Sequence, residues 1–175
     1  MLDAVREQIR RTHAGDPWYG SPRARFLQDL DASDAALRPM GSAFSVWELV
    51  LHMTAWTNEV RRRLAGHAPG EPTEGDWPTV GEPTEERWQA AQLRLEESHS
   101  ALVADVSRLT EADVRRPVGE QRDSALGTGV TIGGMLVGIA QHDAYHIGQL
   151  ALLRRALAHA GPQRPDATSG AAASA

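Results

Sequence analysis

Apolar residues recur along this chain at three- and four-residue intervals, without a convincing two-residue alternation, and that pattern predicts helices rather than strands. Leu2, Val5 and Ile9 mark one face of a helix over residues 2–13, which breaks at Gly15, Asp16 and Pro17. Residues 18–22 read as an ordered loop. A shorter helix follows through Phe26, Leu27 and Leu30, and a further turn runs from Ser33 toward Leu37 before Pro39.

The second long helix has the strongest start signal. Ser45, followed by Glu48 three residues later, fits a capping box, with Phe44 and Leu49 placed to staple the chain across it. Val46, Leu49, Val50, Met53, Trp56, Val60 and Leu64 form its apolar stripe, and Gly66 suits its stop. His52 falls on the border of that stripe. Residues 67–83 carry four prolines and Trp77, a loop too long for a simple turn.

Thr84 caps a third helix with Glu85 and Glu86 in its first turn, and Trp88, Ala91, Leu95, Ser98, Leu102 and Val106 form its seam. A short turn after Thr110 ends before Pro117, and residues 119–129 read as a second loop. The last helix runs from about Thr131 to about Ala160, where Gly161 and Pro162 stop it. Four amphipathic helices joined by long loops predict an all-α four-helix bundle. It forms a single domain over residues 1–160, and a disordered tail is expected over 161–175.

Composition narrows the function classes. The chain has 175 residues, net charge −5 with the two signs interleaved, and none of the basic footprint of a nucleic-acid binder. No apolar run is long enough for a membrane span and no signal-peptide order opens the chain, so the default compartment is the cytoplasm. There is no cysteine and no lysine, which removes cysteine nucleophiles, thiolate metal sites and side-chain Schiff bases. Any difficult chemistry then needs a metal or a small-molecule partner.

The histidines offer one. His142 and His146 are four residues apart on the last helix, so their rings share a side, and Gln149 continues the row. With His52 on a facing helix, three imidazoles can converge on one ion and leave a coordination position open. Asp143 projects nearer the apolar face; it either orients an imidazole N–H or pairs with an arginine such as Arg154 or Arg155. His13, His67, His99 and His159 read as loop or exposed helix positions. Glu59 reads as a solvated residue, with a supporting role as its alternative. Trp18 and Trp77 either line a pocket mouth or pin their loops to the bundle.

The run from Ser45 to Trp56, which contains Trp47, Glu48 and His52, resembles the DinB/YfiT-like superfamily when taken with the run from His142 to Leu150. The loop segments Pro17 to Gly20 and Asp76 to Pro78 are similar to one branch of it. The resemblance spans about residues 1–158. It implies a divalent metal, commonly zinc or nickel, held by His52, His142 and His146, and it makes a homodimer the expected assembly. It further implies transfer of a low-molecular-weight thiol to a small-molecule electrophile. On that expectation Asp143 or Gln149 orients the ligands, and Trp18, Trp56 or Trp77 shapes the pocket. A metal-dependent hydrolase, with Asp143 or Glu59 as base, and a non-catalytic metal- or ligand-binding protein are the alternatives.

Overall fold

The computed structural model describes residues 2–39, 41 and 44–160, and the tail expected over residues 161–175 lies outside them. The described elements are α1 (Leu2–Ala14), α2 (Arg23–Leu27), α3 (Ala32–Ala36), α4 (Val46–Leu64), α5 (Glu85–Ser107), a 3₁₀ turn (Asp113–Arg115), β1 (Pro117–Val118), β2 (Val130–Thr131) and α6 (Ile132–Ala160). The protein is an all-α bundle of α1, α4, α5 and α6, with α4 and α1 each packed against both α5 and α6. The strands are an addition to the sequence expectation. They form one antiparallel ladder, Pro117 opposite Thr131 and Val118 opposite Val130, which is too short to leave a two-residue alternation.

Local chemistry accounts for the helix ends. The Ser45 hydroxyl accepts from the Glu48 amide at 3.1 Å while the Glu48 carboxylate accepts from the Ser45 amide at 2.8 Å. The same carboxylate pairs with Arg38, and those contacts hold it below the usual range despite partial burial, which acts in the opposite sense. Phe44 stacks flat on Trp77 at 3.6 Å, so the apolar residue before the cap anchors a distant loop. At the other end Gly66 adopts φ +90, with Gly66 N–H bonded to Arg63 O and His67 N–H to Arg62 O, a Schellman closure that requires the left-handed residue. Asp31 caps α3 by accepting from the Asp34 amide, so the turn expected from Ser33 begins one residue earlier, at Ala32. Replacing Ser45 with Ala removes one half of the reciprocal cap and is expected to cost about 1 kcal/mol, a fall in Tm of roughly 2–4 °C measurable by calorimetry.

Two apolar clusters fill the interior, one at each end of the bundle. The first joins Val46, Trp47, Met53, Trp88, Leu95 and Leu150. The second joins Ile9, Val60, Leu102, Val106, Leu136 and Ile139. Their membership sets the helix directions. Both α4 and α5 begin in the first cluster and end in the second, whereas α6 begins in the second and ends in the first. The neighbours α4 and α5 are therefore parallel, which requires a long return between them and explains the proline-rich loop.

Between the clusters lies a polar waist. His52, Thr57 and Glu59 from α4, Ser98 and His99 from α5, and Asp143 and His146 from α6 are all buried there. Two sequence expectations are corrected at this level. Glu59 is buried, 1 % exposed, because it accepts from Arg63 Nε at 2.8 Å, Arg62 Nε at 2.9 Å and the Gly70 amide at 3.1 Å. His99 is not on an exposed helix face; it is 5 % exposed and tilts against the His13 ring at 5.3 Å.

Candidate metal centre

The three histidines meet at the waist. Each offers a ring nitrogen to one point, and those nitrogens all lie within 4.8 Å of one another. His52 Nε2 stands 2.9 Å from His142 Nε2, and His146 Nε2 stands 3.2 Å from the same atom. The border position of His52 on its stripe becomes an interior one because α6 covers it.

The opposite ring edges show which nitrogens are free. His52 Nδ1 lies 2.5 Å from the backbone oxygen of Asp76, and His146 Nδ1 lies 2.7 Å from Gln149 Oε1. Carbonyl oxygens only accept, so both Nδ1 atoms carry the hydrogen and both Nε2 atoms present a lone pair. Those lone pairs face His142 Nε2, and one N–H there has only a single hydrogen for the two acceptors. A cation resolves that crowding. The 2.9 and 3.2 Å separations approach the roughly 3.3 Å edge of a tetrahedron built on metal–nitrogen bonds of ~2.0 Å. Burial, reinforced by the neighbouring histidines and Arg23, pushes His142 down to about 3. Burial also lowers His52 and His146, against the contacts from Asp76 and Gln149 that raise them. All three imidazoles are thus neutral near pH 7, the form that binds metals. A set of three imidazoles suits a divalent transition-metal ion.

Aromatic rings hold this arrangement. Trp77 lies flat on His52 at 4.0 Å and is itself capped by Phe44, giving a continuous three-ring stack. Trp56 donates from Nε1 to Asp76 Oδ1 at 2.6 Å and presents its ring to His142 at 6.3 Å. Asp76 therefore braces both His52 and Trp56. The sequence assigns it no site role, because its backbone oxygen and its carboxylate, 2.5 and 3.3 Å from His52 Nδ1, arrive on a loop whose course helical spacing does not encode.

Two expected site residues lie elsewhere. Asp143 faces away from the imidazoles, with Oδ2 at 3.4 Å from Arg23 Nη1; both side chains are buried. Its partner is neither Arg154 nor Arg155, and it orients no imidazole, since the helix turns it toward α2 while His142 faces α4. Burial pushes the Asp143 carboxyl above the ordinary range, against the pull of Arg23. Trp18 is 97 % exposed at the corner of a turn closed by Gly20 N–H to Pro17 O, which carries the ring outward and away from the histidines.

A cavity of about 410 Å³ opens onto His142, within the usual size range for small-molecule sites. Trp56, Met135 and Ile139 supply its apolar wall and Arg63 and Arg122 its charge. Grooves of about 780 and 530 Å³ along α4 include none of the three clustered histidines.

The model of the DinB superfamily matches residues 23–150, well over half of the chain, and includes all three histidines. The chain belongs to the DinB superfamily. No curated protein and no solved structure matched the chain. A three-histidine group at the waist of a DinB-superfamily bundle fits a metal-dependent protein. Among the described residues no helix is long and apolar enough to cross a membrane.

Proposed function

We propose that the protein is a metal-dependent enzyme in which His52, His142 and His146 hold a zinc or nickel ion, and that it transfers a low-molecular-weight thiol to a small electrophile. The observation that carries this reading is the convergence of three neutral Nε2 atoms, two of them locked in the ligating tautomer by Asp76 O and Gln149 Oε1. A divalent ion bound there supplies one service, lowering the pKa of a coordinated thiol so that a thiolate is available near neutral pH. The chain has no cysteine, so that sulfur comes from a bound small molecule.

The remaining work belongs to the protein. Trp77 and Asp76 keep His52 fixed, Gln149 keeps His146 fixed, and Trp56 with Met135 and Ile139 gives the electrophile an apolar wall beside His142. The hydrolase reading is weakened by the same geometry. Its two candidate bases, Asp143 and Glu59, are committed to Arg23 and to Arg62 and Arg63.

Elemental analysis of protein purified without added metal tests the first half of the proposal. One zinc or nickel per chain is expected, falling by at least tenfold in His142→Ala with the fold retained by circular dichroism; metal-free wild-type protein sinks the reading. Consumption of glutathione, mycothiol or bacillithiol with a panel of small electrophiles tests the second half. Turnover should stop on chelation and return with zinc or nickel. Turnover that continues after chelation means the metal takes no part.

A further inference from the structure

We infer that the cavity beside His142 takes a small organic acid, its carboxylate received by Arg122 at the rim and its apolar body by the wall of Trp56, Met135 and Ile139. This deepens the enzyme reading above by naming a substrate class for the same site, and it rests on that reading for its place in a reaction.

The charge lining the cavity is one-sided. Arg63 and Arg122 border it, and no carboxylate does. Arg63 is already engaged. Its side chain is 3 % exposed, and it donates to Glu59 Oε1 at 2.8 Å, to Leu126 O at 2.6 Å and to Gly70 O at 2.9 Å. Arg122 differs. It is exposed and forms no ion pair among the described residues. Its Nη1 donates to Asp123 O at 2.9 Å and Thr128 O at 3.0 Å, and those two bonds fix the guanidinium plane. The Nε and Nη2 edge is left for a ligand, and that edge matches the two oxygens of a carboxylate in a bidentate pair.

The loop that carries Arg122 is built to hold it. The Thr128 hydroxyl donates to Gln121 O at 2.7 Å and accepts from the Asp123 amide at 3.1 Å, bracketing Arg122 on both sides. The Asp123 carboxylate accepts from the Ala125 and Leu126 amides. Arg63 fastens Leu126 to α4. Gly129 has φ +68, and a Cβ there would stand 2.5 Å from Arg122 Cα, so only glycine lets the two strands of the loop approach this closely. A loop that merely connected β1 to β2 would need none of this positioning of one free cation. The result is a guanidinium held by its loop that lines the same cavity as His142 and the apolar side chains of Trp56, Met135 and Ile139.

Calorimetric titration of the metal-loaded full chain with phenylacetate and with its neutral isostere phenylacetamide tests the inference. Phenylacetate is expected to bind at least about tenfold more tightly, the gain of a charge-assisted bidentate pair over a neutral contact. Arg122→Gln should erase that preference with metal content unchanged and the fold retained by circular dichroism, and Arg122→Lys should keep only part of it. Equal binding of the two compounds, binding of neither, or a preference that survives Arg122→Gln overturns the inference; the last outcome puts the carboxylate on the metal. The same titration on chelated protein separates the two readings. If elemental analysis finds no metal but the preference for phenylacetate persists and needs Arg122, the metal reading falls and the acid site stands.

Discussion

Replacing Arg23 with Met is expected to cost the fold about 3–5 kcal/mol, and adding Asp143→Leu to the same chain is expected to return most of it. Arg23 is completely buried. Its guanidinium lies 3.4 Å from Asp143 Oδ2, with Nε and Nη2 each 3.3 Å from His13 Nδ1 and Nη1 4.0 Å from Met53 Sδ. These are long contacts for a charged group taken wholly out of water. Asp143 Oδ1 and Tyr19 Oη have no partner at all among the described groups. Burial accordingly acts against both charged forms, pushing Arg23 down and Asp143 up, more strongly than each stabilises the other. Such a pair adds little net stability over well-packed apolar side chains, yet removing only one member leaves the other charge buried without compensation. Urea unfolding of wild type, Arg23→Met and the double variant reads both effects. If the single variant is as stable as wild type, or the double variant no better than the single, the pair is not coupled in this way. Asp143 makes no contact with the imidazoles on either side of it in sequence, so the double variant should keep its metal.

The second large effect is acid sensitivity centred on His99. Burial, then the charges of Arg23 and His13, push His99 down to about 3; burial and Arg23 push its neighbour His13 down to about 4. The ordinary value is 6.5. The unfolded chain therefore binds more protons than the folded one between those limits. The stability is fully present above about pH 6.5 and is lost as pH falls toward 3, at about 1.4 kcal/mol per pH unit from His99 alone where only the unfolded state is protonated. His99→Leu removes the titration while filling a similar volume. Urea midpoints measured from pH 7 to pH 4 should therefore fall less steeply for His99→Leu than for wild type, the two curves converging or crossing in acid. Parallel curves mean that His99 is not held neutral by the fold. The comparison between variants cancels the contribution of the metal-site histidines, which are common to both.

Both predictions rest on residues that the sequence pattern did not mark. Arg23 is one of 18 arginines and sits at the start of a five-residue helix, and His99 lies on a helix with no histidine at a pairing distance. Their interior positions come from the packing of α2 and α5 against α6 and α1 at the waist. The same holds for Glu59. Its position on α4 suggests a solvent-facing carboxylate until the loops carrying Gly70 and Leu126 close over Arg63.

What the sequence determined by itself is local. The Ser45 and Glu48 cap, the Gly66 stop, the start of α6 next to Thr131 and the one-turn spacing of His142 and His146 all depend on contacts within a few residues, so residue identity at fixed offsets suffices to read them. The bundle was legible for the same reason, since amphipathic stripes must be buried against one another. Only the tertiary structure decided the parallel course of α4 and α5, the arrival of His52 beside α6, the bracing of that ring by Asp76 and Trp77, and the turning of Asp143 toward Arg23. These pairings join residues far apart in the chain and depend on helix rotation and loop course. The spacing within any one helix does not encode either.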